Sequence, residues 1–339
     1  MQLTEVKMLL KPVIKLIILN LPYPQMESKS KAEKSNTTTV TEFTLVGFSD
    51  IPNLQQILFG IFFVIYLMIL LGNSIIILIT RIDPTLQNPM YFFLANFSFL
   101  EICYVTVTVP RMLRDIWTQK GNIYFLPCAT QMYFVLMFGG TECLLLTVMA
   151  YDRYVAICNP LNYSLVMNHK VCIQLVAGSW ISGIPVEIGQ TCQIFSLSFC
   201  GSSTINHFFC DIPPILKLAC GDTFVNEMAV YIFSVVFFMV PFLSIVASYG
   251  KIISSILKLS SVRGRAKAFS TCSSHLTVVV LFYGTAAINY LQPASNKSEG
   301  LRKLLSLFYT ILTPMMNPII YSLRNKNVMV ALKKLLLNY

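Results

Sequence analysis

Three sets of residues in this 339-residue chain have the types and positions to do chemistry. Asp152, Arg153 and Tyr154 stand at the end of a long apolar stretch, inside the run from Met149 to Ala156. An arginine keeps its charge at any accessible pH, and a charge beside lipid must be met by an acid, water or polar neighbours. Asp152 next to Arg153 is the first candidate. Such a pair is either a fixed helix-end ion pair or a switch whose partners change. Glu101 is an isolated acid in another apolar stretch and Glu142 one within the stretch that ends at Asp152; ionisable groups are rare there unless they face one another or a polar interior. They could share a proton, hold a cation such as sodium, or accept hydrogen bonds from Asn317. The third set is a cluster of cysteines between residues 191 and 223.

The elements carrying these groups follow from composition. Of the residues, 55% are hydrophobic and 12% charged, a balance foreign to a soluble domain of this length. Seven apolar stretches, each on the order of 20 residues, run over 55–80, 90–113, 125–152, 171–190, 224–250, 269–292 and 304–323. They are apolar on all faces and too long for barrel strands, so they are read as helices. The fold class is therefore an all-α membrane protein, a seven-transmembrane helix bundle. Pro110, Pro185, Pro241, Pro314 and Pro318 lie inside the spans as kinks of fixed shape or as hinges.

The organisation divides into an N-terminal segment over 1–54, the bundle over 55–323 and a tail over 324–339. Lys251, Lys258, Arg263, Arg265, Lys267, Arg324, Lys326, Lys333 and Lys334 favour an inward loop after span five and an inward tail. Six lysines in the N-terminal segment weaken that vote. The net charge of +10 fits anionic lipid and requires no nucleic acid. In the tail, apolar residues fall on one face and lysines on the other, as in a short amphipathic helix lying on a membrane. The apolar part of residues 1–25 is too short and too charged to be read as a span. Met26 offers a second start, which would make them dispensable.

Cys103, Cys143, Cys158 and Cys272 lie within apolar spans and read as small core residues. Cys200, Cys210 and Cys220 recur every ten residues in a polar loop that also holds Cys192 and His207, with Cys128 on the same side at the start of span three. On an oxidising side these form disulfides whose connectivity stays open. The spacing lacks the close pairs of a zinc ribbon, so no metal is expected. Asn36-Thr-Thr is a glycosylation acceptor that would place the N-terminus outside.

Several motifs then occur in order. They are Pro89-Met-Tyr-Phe-Phe-Leu94, Met149-Ala-Tyr-Asp-Arg-Tyr-Val-Ala-Ile-Cys158, Ser248-Tyr249, Lys267-Ala-Phe-Ser-Thr-Cys-Ser-Ser-His-Leu276, and Pro314-Met-Met-Asn-Pro-Ile-Ile-Tyr-Ser-Leu-Arg-Asn325. Together they resemble the rhodopsin-like G-protein-coupled receptors and, within them, the odorant receptors, over about residues 36–337. The resemblance implies disulfides between Cys128 and Cys210 and between Cys200 and Cys220, leaving Cys192 without an assigned partner. It implies an outer loop, His207 to Pro214, that lids a ligand pocket. It also implies a mechanism in which Arg153 swings toward Tyr249 and Tyr321 as span six moves outward. Asn317 and Pro318 belong to the same switch, which opens a groove for a G protein. The family usually has Asp where this chain has Glu101.

Helical phase and the resemblance place a ligand pocket among Val135, Leu136, Gly139, Gly140, Phe233, Phe237, Tyr283, Ala287, Tyr290 and Thr310. Such a lining holds a small molecule by burying apolar area, at about 25 cal/mol per Å², with Tyr283, Tyr290 or Thr310 orienting it. With no charged residue in this set, a neutral apolar volatile is expected. The expected function is an odorant receptor of the plasma membrane, N-terminus outside, that activates a stimulatory, olfactory-type heterotrimeric G protein and raises cAMP. The partners are thus a small odorant, that G protein and membrane lipid; no cofactor and no catalysis are expected. A similar chemosensor expressed elsewhere is one alternative. A transporter is the alternative of another class, but the chain shows neither inverted halves nor paired broken helices. An intramembrane aspartyl protease lacks its second acid, since no Gly-x-Gly-Asp follows Tyr151-Asp152.

Overall fold

The structure, a computed structural model, describes residues 41–48, 54–200, 202–258, 261–291 and 299–337. Among them, six helices are long and apolar enough to cross a membrane. The remaining long helix, Val262–Leu291, carries a shorter apolar stretch at Cys272–Ala286. The protein is a multi-pass membrane protein built as a seven-helix bundle. Span one is Gln55–Ile82, span two Pro89–Thr118 and span three Phe125–Cys158. Span four is His169–Ile181 continued by Gly183–Phe195. Span five comprises Phe224–Ser234, a widened π-helical turn at Val235–Met239, and Val240–Leu257. Span six is Val262–Leu291, and span seven runs from Glu299 to Arg324 through a second π turn at Phe308–Leu312.

Local chemistry sets several of these boundaries. Asn88 caps span two by accepting from the Tyr91 N–H at 3.4 Å, with Pro89 in the first turn, where its missing N–H costs nothing. Asn168 caps span four in the same way through Val171 at 3.0 Å. The two π turns each end just before a proline, Pro241 and Pro314. A proline takes one N–H out of the ladder and crowds the carbonyl four residues back, and a widened turn absorbs both effects. Phe237 and Thr310 therefore sit on irregular backbone.

At the end of the bundle that carries the disulfides, a small sheet forms a lid. Strand β1, Glu42–Leu45, runs antiparallel to β2, Asn122–Tyr124, and parallel to β3, Thr204–Ile205. Phe43 and Leu45 of β1 are buried with Ile123, Ile205, Ile212 and Ile215 around Cys128 and Cys210, a hydrophobic cluster separate from that of the bundle. Disulfides join Cys128 to Cys210 and Cys200 to Cys220; Cys192 is exposed with a free thiol. Gln131 ties the lid down, accepting from the Cys210 N–H at 3.0 Å and donating to the Val107 carbonyl at 3.1 Å. Span seven holds it from the other side, where Lys303 donates to the Gly47 carbonyl at 2.8 Å and Ser306 meets His207 at 3.0 Å.

At the opposite end, the tail forms a helix, Lys326–Leu337, with Val328 and Ala331 buried against the bundle. Asn325 accepts from the Tyr91 hydroxyl at 3.0 Å, and Lys334 lies 3.5 Å from Asp83 in the loop after span one.

The lid buries one acid whose titration bears on stability. Burial pushes the Asp211 carboxyl up to about 6, although the Ile212 N–H bonds it. Because this lies above its ordinary value of 3.8, Asp211 favours the folded state fully at low pH and loses that contribution as pH rises through about 6. Thermal unfolding of the detergent-solubilised protein should therefore show Asp211→Asn gaining stability relative to wild type as pH rises from about 4 to about 6.5, with no further gain above that. Parallel profiles for the two proteins would refute this.

Candidate functional site

The polar residues singled out from the sequence fall in two connected zones. At the Arg153 end, Asp152 is buried, but its carboxylate does not turn to the adjacent arginine as expected. It accepts instead from the Tyr163 hydroxyl at 2.8 Å, in the loop after span three. Neighbouring helical positions point about 100° apart, so a loop residue can reach Asp152 more easily than Arg153 can. Burial and the Asp152 charge push the Tyr163 hydroxyl well above its ordinary range, so it stays a donor. Arg153 is partly buried, and the ion pairs recorded among the described residues do not include it. Tyr154 is partly buried and stacks on Tyr151, with ring centroids 6.3 Å apart.

Next to this zone, three spans meet at one side chain. His275 of span six lies 2.8 Å from the Tyr249 hydroxyl of span five through Nδ1, and 3.1 Å from the Leu146 carbonyl of span three through Nε2. A carbonyl can only accept, so Nε2 carries the hydrogen and Nδ1 accepts from Tyr249. The two rings also stack at 5.8 Å and 9°. Tyr249 is thus held by span six, while Tyr321 of span seven is buried with its hydroxyl unpartnered.

Deeper in the bundle, Asn317 donates to Glu101, joining spans seven and two. Asn73 of span one donates to the Ile69 carbonyl at 3.0 Å and to the Pro314 carbonyl at 3.4 Å. Gly72 lets the Pro318 ring approach; a methyl group there would stand 3.0 Å from it. Glu142 is buried close enough to Glu101 to feel its charge. One oxygen each of Glu101, Glu142, Asn317 and Asn73 is buried without a partner. Clustered acceptors of this kind suit ordered water, a shared proton or a hydrated cation.

The expected ligand positions lie toward the lid. Val135 is buried and Leu136 partly so. A side chain at Gly140 would meet the Phe237 ring at 3.8 Å, whereas Gly139 has open space beside it. Phe233 and Phe237 are partly buried on span five. Tyr283 is buried between Phe238 and Phe242, with ring centroids 4.8 and 5.0 Å away, and its hydroxyl lies against the Cys143 thiol of span three. Thr310 is a correction in part, because its hydroxyl donates to the Ser306 carbonyl at 2.6 Å and keeps only acceptor capacity for a ligand. Asn36 lies outside the described residues, as do the side chains of Ala287 and Tyr290.

Sequence reasoning missed Tyr163, His275, Asn73 and Gln131. His275 stood inside the motif from Lys267 to Leu276 without a role, and Tyr163 lay outside all of the motifs. Nothing local marked Asn73 or Gln131, whose partners are distant in sequence.

A single chain of seven spans, with the start of span three disulfide-bonded to the loop after span four, defines the class. The structure of squid rhodopsin matches with a TM-score of 0.68 over 84% of this chain and 80% of that one, at 18% identity, a likeness of fold. A family model described as "Olfactory receptor" matches residues 62–339. Human olfactory receptor 10AG1 is 71% identical over 295 residues, covering 87% of this chain and 98% of its own length. Human olfactory receptor 10A7 is 53% identical over 299 residues, 88% and 95% of the two chains. The chain belongs to the olfactory receptor family.

Glu101 offers a clean test of the interior seam. Glu101→Leu would leave the Asn317 amide an unpaired buried donor and should lower stability by about 1–3 kcal/mol. Glu101→Gln keeps the accepting oxygen and should cost clearly less in the same thermal-shift measurement. Equal losses in the two variants would show that the bond to Asn317 carries no weight.

Proposed function

We propose that this protein is a plasma-membrane odorant receptor that binds small, mostly apolar molecules beneath the lid and activates a stimulatory, olfactory-type G protein, raising cAMP. The N-terminus and the disulfide-bonded lid face outward, where an oxidising medium suits the disulfides and Asn36 is available for glycosylation. Residues 324–339 form an inward tail whose lysine-bearing helix lies against anionic lipid. The chain binds and signals without catalysis.

The observation that carries this reading is the joint at His275, lying beside Arg153 in a chain of the olfactory receptor family. Tyr249 and His275 hold span six against spans three and five. Opening costs the bonds of His275 to Tyr249 and Leu146, each worth about 1 kcal/mol net, and the longer contact of the Tyr249 hydroxyl with the Cys272 carbonyl. When the joint opens, the Tyr249 hydroxyl is released from His275, and Tyr321 already holds an uncommitted one. Both then become partners for Arg153 as span six moves away and a groove for the G protein forms. Asp152, held by Tyr163, leaves Arg153 free for that exchange. Asn317 and Pro318 place Tyr321 on span seven, and Glu101 and Glu142 form a proton or sodium site that couples the ligand region to it.

Ligand binding follows from the lining. Val135, Leu136, Phe233, Phe237 and Tyr283 supply apolar and aromatic surface, and the glycines at 139 and 140 leave room against Phe237. A ligand that packs differently in the open and closed bundles shifts the balance by its differential affinity alone.

The test is cAMP in cells displaying residues 26–339 with an N-terminal surface tag, challenged with a panel of small volatiles. At least one volatile should give a dose-dependent rise that is lost in Arg153→Ala at equal display. A response that survives in Arg153→Ala would contradict the mechanism, and uptake of a substrate that survives it would favour a transporter.

A further inference from the structure

Span four carries a buried acid that none of the interactions above uses. Glu187 is 5% exposed, and its Oε2 has no hydrogen-bond partner. One turn further toward the lid, the Thr191 hydroxyl is also buried and unpartnered. Residues four apart on a helix share a face, so the two groups point to the same side.

The register of the helices places that side. Gly183 lies against the span-three backbone, since a methyl group there would come within 3.9 Å of the Met137 carbonyl. At the lid end of the same helix, Ile194 is buried in one cluster with Met132 of span three. Glu187 lies between these anchors, so it runs alongside the stretch of span three that holds Val135 and Leu136. The outer half of span five closes the other side of span four, where Asn226 donates to the Gln193 carbonyl at 3.3 Å. Glu187 and Thr191 therefore lie on the face of span four that meets span three beside Val135 and Leu136, at the edge of the proposed ligand region.

A buried carboxyl without a partner is costly, and the cost is relieved when a bound molecule supplies a hydrogen bond. We infer that Glu187 is a specificity-determining residue that accepts a hydrogen bond from the hydroxyl group of an otherwise apolar ligand, with Thr191 flanking the same head group. The inference rests on the reading of this region as a ligand site and narrows its ligand class from neutral apolar volatiles to alcohols. A hydroxyl fits better than an ammonium group, because the rest of the lining is apolar and aromatic and would desolvate a full charge at high cost.

Straight-chain alcohols and their isomeric methyl ethers, such as 1-octanol and heptyl methyl ether, have the same atoms but differ in the donor. Thermal-shift titration of the purified full chain in nanodiscs reads binding without any G protein, so failure of the signalling reading and failure of this one remain distinguishable. Alcohols of six to ten carbons should bind about fivefold or more tightly than the matching ethers, as one net hydrogen bond implies. The preference should vanish in Glu187→Leu and persist in Glu187→Gln, which keeps an accepting oxygen. An infrared difference spectrum on adding 1-octanol supplies a readout independent of the Leu variant. A carboxyl band should shift in wild type and be absent in Glu187→Gln. An alcohol preference that survives Glu187→Leu, an unshifted carboxyl band, or no stabilisation of wild type by either series would overturn the inference.

Discussion

A bundle buried in lipid has no bulk water to satisfy its polar groups, so each one must find a partner on another helix. That requirement organises this molecule more than its apolar packing does, because lipid tails are as apolar as the side chains that meet them. His275 meets it in the most consequential way. It uses both ring nitrogens, one toward span five and one toward the backbone of span three. With the longer contact from the Tyr249 hydroxyl to the Cys272 carbonyl at 3.4 Å, these bonds tie span six to spans three and five. Each is strong enough to hold one arrangement and weak enough to be exchanged for another.

The interior seam obeys the same rule incompletely. Asn317 pairs with Glu101, and Asn73 bridges to the Pro314 carbonyl, yet several oxygens between them stay unmatched. Partly satisfied polar networks in low dielectric carry high stakes, since small shifts change which groups are paired. On the proposed reading the seam runs between the ligand region and Tyr321, so a change in packing at one end has a physical route to the other. At the outer end the logic is different. The lid is held by disulfides and a small separate core, and Gln131 and Lys303 fasten it to spans two, three and seven.

The span count and the helical class were legible in composition, because long apolar runs have few other readings. Ends were less so. Span three continues to Cys158, beyond the expected 152, since a helix at the membrane boundary tolerates Asp152 and Arg153 and hydropathy drops before the helix stops. Span six begins at Val262 rather than near 269 for the same reason. Strand β1 was not legible at all: four residues with weak alternation become a strand only because two loops far away in sequence supply its neighbours. The disulfide pairs came from the family resemblance, not from spacing. Glu187 was passed over although it is, like Glu101 and Glu142, a lone acid in an apolar run, and only the register against Met137 and Ile194 shows where it faces.

The central claim is that the His275 joint closes the bundle at the Arg153 end and that ligand and G protein favour its opening. The most direct measurement is the distance between Asn159, just past span three, and Val262, at the start of span six. Spin labels introduced at both positions as unnatural amino acids in nanodiscs would report it, with and without an activating volatile and the G protein. The account predicts one short distance at rest and a second, longer population when both are present, with the longer one also appearing without ligand in His275→Phe. A single unchanged distance under all these conditions, in protein that still binds the volatile, would contradict it.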